Sequence, residues 1–232
     1  MKPETEIKVL LYHSVSEDRD FPTPAGTNVP PAEFERQVSF LSRHYSVVGL
    51  GAGSEEGGRP PLVITFDDGY RDNFQTAYPV LMRYDLPVTF FLTVSRVGRD
   101  WDFPGGGYPG LTWEEVREMD RHPLVDFGSH GLTHRLLTGL TDEEAAREIE
   151  DSKAILEKQL GREVNFFSYT HGSHNDRTRE LVRKAGYRAA YSVIAGGEDE
   201  FSRRRILISR RDNLFRLRLK LSPLYWPLRK VL

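Results

Sequence analysis

The stretch LVITFDDGY, residues 62–70, constrains the fold more than any other part of the chain. Residues 62–66 are apolar or β-branched without a break, with Pro60-Pro61 before them and Gly69 after. A run of that length and those bounds predicts a strand buried on both faces, as in parallel sheets covered by helices. It ends on two adjacent carboxylates, Asp67 and Asp68. Buried carboxylates are costly unless they are paired, hydrogen-bonded or on a metal. The carboxyl ends of strands are also where α/β folds build their sites. Taken locally, the two acids fit equally well a turn that caps the next helix.

The rest of the chain alternates strand and helix signals. Strands are expected at 9–13, 47–50, 62–68, 88–94, 125–130, 165–169, 189–194 and 205–209. Helices are expected at 33–44, at 73–84 with a kink at Pro79, and at 176–185. Two more open on the capping boxes Thr112–Glu115 and Thr141–Glu144, the second ending at Gly161. Residues 18–31, 51–61 and 98–110 read as loops. About eight strands separated by helices argue a parallel α/β sheet. Polar residues gather at many different strand ends, which favours closure into a distorted (β/α) barrel of seven or eight strands. At 232 residues the chain fits a single domain, expected at 1–211 with a basic extension at 212–232.

Composition narrows the chemistry. With 38% hydrophobic and 28% charged residues, wholesale disorder is excluded. There is no cysteine, so a metal site would use histidine and carboxylate ligands. No phosphate-cradling loop, dinucleotide fingerprint or nucleophile elbow is present. The N-terminal residues lack a signal-peptide pattern and no stretch is long enough to span a bilayer, so the expected location is cytoplasmic. Charge is unevenly spread. Residues 202–232 hold ten Lys or Arg and one acid, a charge of +9, while the remainder, with 22 bases and 33 acids, carries −11. Residues 212–232 fit both a helical leucine stripe and an alternating strand. Their basic and apolar character suggests contact with a membrane surface at the inner face. Packing on the barrel with the basic side outward fits as well. Nucleic acid is not expected as a partner, because no recognition motif accompanies the charge.

Two further stretches carry candidate ligands. In DFGSHGLTH, residues 126–134, His130 and His134 follow a strand at a spacing that a helical turn would place on one side. Two histidines and one carboxylate would leave a zinc-type ion open positions, as a catalytic site needs. In FFSYTHGSHND, residues 166–176, a strand breaks into a polar turn carrying His171 and His174. Such a turn can present N–H groups to an oxyanion, or be an ordinary surface loop.

Together these stretches resemble the polysaccharide deacetylase family, the carbohydrate esterases with the NodB homology domain. The family's Thr-Phe-Asp-Asp-Gly stands at residues 65–69, its Ser/Asn-His-x-x-x-His at 129–134, and its Phe-x-Tyr-Pro-x-Gly, in part, at 167–172. The resemblance implies a hydrolase removing N-acetyl groups from acetamido sugars of a polysaccharide or lipid-linked glycan precursor. It implies a divalent metal, Zn2+ foremost, held by Asp68, His130 and His134, with Asp67 as general base and the turn at Thr170 and His171 holding the oxyanion.

Two departures stand out. The third motif's proline is Thr170, and the family's late Leu-x-His is missing from residues 206–209. Members resembling exopolysaccharide de-N-acetylases supply that histidine from an N-terminal Tyr-His-x-Val strand, which matches residues 12–15 and makes His13 the general acid, with His171 as the alternative. Trp101, Phe103 and Tyr108 fit a sugar-stacking surface or a loop anchor, Asp126 a histidine-orienting group or a surface acid, and Asp72 a helix cap. A non-catalytic glycan-binding protein and a deformylase of a lipid-linked sugar are the alternative functions.

Overall fold

The computed structural model describes residues 7–18, 26–52, 58–103, 106–193, 199–222 and 225. In chain order the strands are β1 (Lys8–Tyr12), β2 (Ser14–Val15), β3 (Asn28–Val29), β4 (Ser46–Val47), β5 (Pro61–Phe66), β6 (Val88–Leu92), β7 (Asp100–Phe103), β8 (Gly106–Pro109), β9 (Val125–Ser129), β10 (Phe166–Ser168), β11 (Ala189–Ser192), β12 (Arg203–Arg204) and β13 (Ile206–Leu207). The helices are α1 (Pro31–His44), α2 (Tyr78–Arg83), α3 (Trp113–Asp120), α4 (Asp142–Leu160), α5 (Asp176–Lys184) and α6 (Leu214–Lys220).

The main sheet runs β12-β11-β10-β9-β6-β5-β1-β13, with β4 beside the start of β5. Every pairing in it is parallel. The two ends of this path, β12 and β13, are separated in sequence by Arg205 alone, so one short segment closes the sheet into a nearly complete barrel. The expected distorted (β/α) barrel is the fold. Its strands are buried along their length because helices cover the outer face, and the unbroken apolar run of β5 reflects that burial.

Alternation along the strands sorts the interior. Val9, Val63, Phe91, Phe166, Ala189 and Tyr191 form a small apolar plug inside the barrel. Leu10, Tyr12, Ile64, Phe66, Phe90 and Phe127 belong to the larger cluster that includes Phe34, Val38 and Leu41 of α1 and Ile149 and Leu156 of α4. Stepping two residues on from Val9 and Val63 gives Leu11 and His13, and Thr65 and Asp67. That geometry carries functional side chains to the mouth of the barrel above its plug.

Both predicted capping boxes form, at Thr112 and Thr141, and Gly161 ends α4 in the left-handed region. The helix expected over 73–84 is instead a π turn (Asn73–Ala77) followed by α2, with Pro79 in the first turn of α2 where a missing N–H costs little. The loop expected over 98–110 contains the antiparallel hairpin β7–β8. Of the basic extension, residues 212–222 pack against α1 through the buried Leu217 and Leu221. The segment is helical, which rules out the strand reading there. Residues 223, 224 and 226–232 lie outside the described part.

Candidate active site

β5 stops at Phe66, and the Asp67 N–H still pairs with the Tyr12 carbonyl at 3.0 Å. Asp68 then takes φ 75° and Gly69 φ 79°. The turn therefore begins on Asp68 itself, one residue before the glycine expected to provide it. This reversal lets two adjacent acids serve one cavity, although neighbours on a regular strand point apart. A left-handed aspartate costs about 1–3 kcal/mol and persists only where its surroundings hold it. A Cβ at Gly69 would also lie 2.8 Å from Leu92 Cδ2, so that side chain would have to move to admit one.

His130 and His134 converge without the helical turn that their spacing suggested. β9 ends at Ser129, and the chain turns at Gly131 (φ 80°) and again at His134 (φ 66°). Two sides fix this loop. The N–H groups of Val94 and Ser95 donate to the Gly131 and Leu132 carbonyls at 3.2 and 2.9 Å. From α4, buried Glu148 accepts from the Leu132 and Thr133 N–H groups at 3.0 and 2.8 Å and from the Thr133 hydroxyl. Nothing in the sequence motifs singles out Glu148; its signal is only a carboxylate on the inward face of an amphipathic helix.

Asp68 Oδ1 lies 3.4 Å from His130 Nε2 and 3.3 Å from His134 Nε2. These ligand atoms all fall within 4.8 Å of one another. Asp68 Oδ1 is buried and makes no hydrogen bond. Burial opposes its ionisation, yet the facing imidazoles hold its carboxyl well below the usual range. His130 Nδ1 lies 2.8 Å from the Ser168 carbonyl, which fixes the tautomer with Nδ1–H donating and Nε2 left as a ligand atom. An orphaned carboxylate oxygen facing two free imidazole nitrogens is a donor set that fits a divalent ion, with coordination positions to spare.

Asp67 has a different environment. Arg205 Nη1 donates to its Oδ1 at 2.8 Å and Nη2 to its Oδ2 at 2.6 Å, while Ser168 Oγ donates to Oδ2 at 2.9 Å. Arg205 is fully buried, and its guanidinium also faces the Phe91 ring. Burial works against the Asp67 charge, but Arg205 and then His130 outweigh it, so the carboxyl sits below its ordinary value. A carboxylate offers about four lone-pair sites. Three are taken, which leaves one on Oδ1. In the sequence Arg205 only opens the strand expected at 205–209. Its role follows from barrel closure, which brings residue 205 across to residue 67.

The cavity above these groups has a volume of about 380 Å³, within the range of small-molecule sites. His13, Asp67, Asp68, His130, His134 and His171 all line it. His13 Nδ1 is buried without a hydrogen bond, and burial keeps this imidazole below its usual range against the pull of Asp68 and Asp67. His171, at φ 56°, places its ring 4.6 Å from that of His134; burial lowers its pKa and the neighbouring histidines add to the effect. Thr170 is buried, does not line the cavity, and donates its hydroxyl to the Arg135 carbonyl at 2.6 Å. In this turn the amides of Tyr169, Gly172 and Ser173 are already paired to the carbonyls of Tyr191, Tyr169 and Thr170.

Trp101 and Phe103 of the hairpin wall the cavity together with Tyr70. The Trp101 ring stands edge-on to His134 at 5.2 Å. Trp101 is both loop anchor and cavity wall, being buried against Tyr70. Asp126 does not orient a histidine, and Asp72 does not cap the helix expected after it. Asp126 pairs with Arg162 at 2.9 Å and accepts from the Phe127 N–H, away from any histidine. Asp72 accepts from Ser14 Oγ at 2.5 Å, the Val15 N–H at 3.2 Å, Tyr108 OH at 3.1 Å and Asn73 Nδ2 at 2.9 Å. Asn73 also donates to the His13 carbonyl at 2.7 Å, so this cluster ties the backbone around His13 to the hairpin.

Residues 54–190, more than half of the chain, match the profile of the polysaccharide deacetylases. The chain belongs to the polysaccharide deacetylase family. YxkH of Bacillus subtilis strain 168, which bears the name of the same family, is 29% identical over 82% of this chain and 66% of its own length. The poly-β-1,6-N-acetyl-D-glucosamine N-deacetylase of Staphylococcus aureus is 24% identical over 78% of this chain and 68% of its own. The chain thus spans about two thirds of the length of these curated relatives. Among solved structures, a Streptococcus pyogenes deacetylase in complex with acetate superposes with a TM-score of 0.79, covering 94% of this chain and 98% of that one at 23% identity. A Bacillus cereus polysaccharide deacetylase superposes equally well, at 25% identity over 93% of this chain and 69% of that one. His13 and Arg205 both lie outside the stretch that the family profile matches.

Proposed function

We propose that the chain is a metal-dependent N-deacetylase acting on an acetamido sugar of a polysaccharide or lipid-linked glycan. The observation that carries this reading is the pairing of two unlike carboxylates on one cavity. Asp68 faces two imidazole Nε2 atoms with an unpartnered oxygen, while Asp67 is kept ionised by Arg205. The family membership and the relatives' activities support it.

Asp68, His130 and His134 would hold the ion. A divalent cation there, Zn2+ foremost, would supply Lewis acidity toward water and the acetamide carbonyl. Asp67 takes the proton of the attacking water on Oδ1, its one open lone-pair site. Water oxygen bonds to the carbonyl carbon, and the turn amide of His171, which lines the cavity, donates to the oxygen that gains charge; Thr170, expected beside it, lies off the cavity and takes no part. His13, neutral at rest because burial lowers its pKa, takes up a proton beside Asp67 and Asp68 and passes it to the sugar nitrogen as the C–N bond breaks. Acetate and an amine leave. The Trp101–Phe103 wall gives the sugar an apolar face to rest on.

Acetate release from N-acetylated oligosaccharides by wild type and Asp67→Asn tests the proposal. The variant should lose at least about a hundredfold in kcat, the lower end for a positioned general base, while still binding metal. Wild type inactive with every divalent ion across a broad panel of acetamido sugars would refute it, and the inactive-scaffold reading would stand.

A further inference from the structure

We propose that the outward face of α6 docks on an anionic lipid bilayer. Among the described residues the exposed large apolar side chains are Phe215, Leu219 and Leu136, at 68%, 52% and 44% exposure. Two of the three lie on this one short helix, four residues apart, and so share a face. The opposite face is spent on the core through Leu217 and Leu221, both buried.

On the segment itself the exposed charges are of one sign. Arg211, Arg216 and Arg218 are exposed, and among the described residues none of them has a carboxylate partner. The segment's acid, Asp212, is turned inward, where it accepts from Ser209 and pairs with Lys220 at 2.7 Å. Arg218 lies over the Phe40 ring of α1 at 5.3 Å. Next to it, Glu35, Arg36, Ser39 and Arg43 of α1 line a groove with Tyr84 and Leu214; there Glu35 is neutralised by Arg83 and Arg36 by Glu33, both at 2.6 Å, while Arg43 has no carboxylate partner among the described residues.

The same charge pattern selects the occupant. A second copy of this chain would set arginines against arginines across a two-fold axis, which disfavours a symmetric dimer. A bilayer containing anionic lipid offers a diffuse negative plane with an apolar layer beneath it, and needs no matched geometry from the protein. The rest of the chain carries −11, so its field turns other faces away from such a plane and orients this one toward it. This inference is independent of the deacetylase reading.

The full-length protein is sedimented with vesicles of phosphatidylcholine alone and of phosphatidylcholine mixed with phosphatidylglycerol. Binding is expected only to the mixed vesicles, weakening as salt is raised. Each of Arg211→Gln, Arg216→Gln and Arg218→Gln should lower the partition constant roughly fivefold, the equivalent of about 1 kcal/mol per basic residue. Phe215→Ser with Leu219→Ser should abolish binding while the melting temperature and acetate release from a soluble substrate stay unchanged. No binding to mixed vesicles, or equal binding by the serine variant, overturns the proposal. So does a concentration-dependent dimer, seen by sedimentation without lipid, that the serine variant dissolves.

Discussion

Arg205 and Asp67 form a two-bond ion pair inside the barrel, at 2.8 and 2.6 Å, with the arginine wholly buried and the aspartate nearly so. The arginine fills the level between the apolar plug and the cavity, and its charge holds the carboxylate above it ionised. Arg205→Met leaves a buried, uncompensated carboxylate. The variant should lose about 3–5 kcal/mol of stability, as when one partner of a buried pair is removed, together with acetate release. Adding Asp67→Asn should restore most of the stability in urea unfolding but none of the activity. Equal stability of the single and double variants would show that the pair is not coupled.

Asp68 is predicted to bind the ion and Asp67 not to. Asp68→Asn, His130→Ala and His134→Ala should each lose metal in equilibrium dialysis, whereas Asp67→Asn should keep it. Stripping wild type with a chelator should abolish acetate release and lower the melting temperature. At an ion concentration one hundred times Kd, the bound ion stabilises by about 2.7 kcal/mol. A chelated protein with unchanged activity would contradict the assignment.

Glu148 grips the loop between the two histidines without touching either ring. An amide in its place cannot accept from both N–H groups and the Thr133 hydroxyl as a carboxylate does. Glu148→Gln should therefore weaken metal affinity by about 10–100-fold, the usual range for groups that orient ligands. A variant of lower melting temperature but unchanged affinity would mark Glu148 as a purely structural anchor.

His13 should matter most where the leaving group needs a proton. His13→Ala is expected to lower kcat on an acetamido sugar by about 10²–10⁴-fold, with metal content unchanged. The loss should be much smaller on an activated aryl acetate, whose leaving oxygen departs without protonation. Equal losses on both substrates would remove His13 as the acid.

The sequence exposed the barrel because its strands are short, unbroken apolar runs and two helices open on capping boxes. Asp67, Asp68, His130 and His134 are legible as a set because their spacing matches the family's motifs; taken alone, the two acids fit a capping turn as well. It could not expose Arg205 or Glu148. Each acts on a partner far along the chain, residue 67 for the first and residues 132–133 for the second, and neither carries a local pattern. The hairpin after Gly98 was hidden for another reason: glycine and proline suppress the alternation that marks a strand, although β7 and β8 pair in register. The i, i+4 spacing of His130 and His134 points to convergence through a helical turn, but two left-handed residues, Gly131 and His134, bring the rings together instead.

Asp72 gives the fold a pH dependence with a definite sign. It is buried, no cation pairs with it among the described residues, and its partners Ser14, Val15, Asn73 and Tyr108 are neutral. Burial raises its pKa, and hydrogen bonds from those neutral donors offset only part of the rise. In the unfolded chain Asp72 loses its proton near the ordinary value of 3.8, whereas the folded protein keeps it to higher pH. Between those two values the unfolded state binds fewer protons, so stability falls as pH rises. Asp72→Asn is neutral throughout and lacks this fall. The melting temperature of wild type relative to Asp72→Asn should therefore decline as pH is raised from 3.8 through the raised range, and then level off. Parallel melting curves over that interval would mean that Asp72 ionises as freely in the fold as in the unfolded chain.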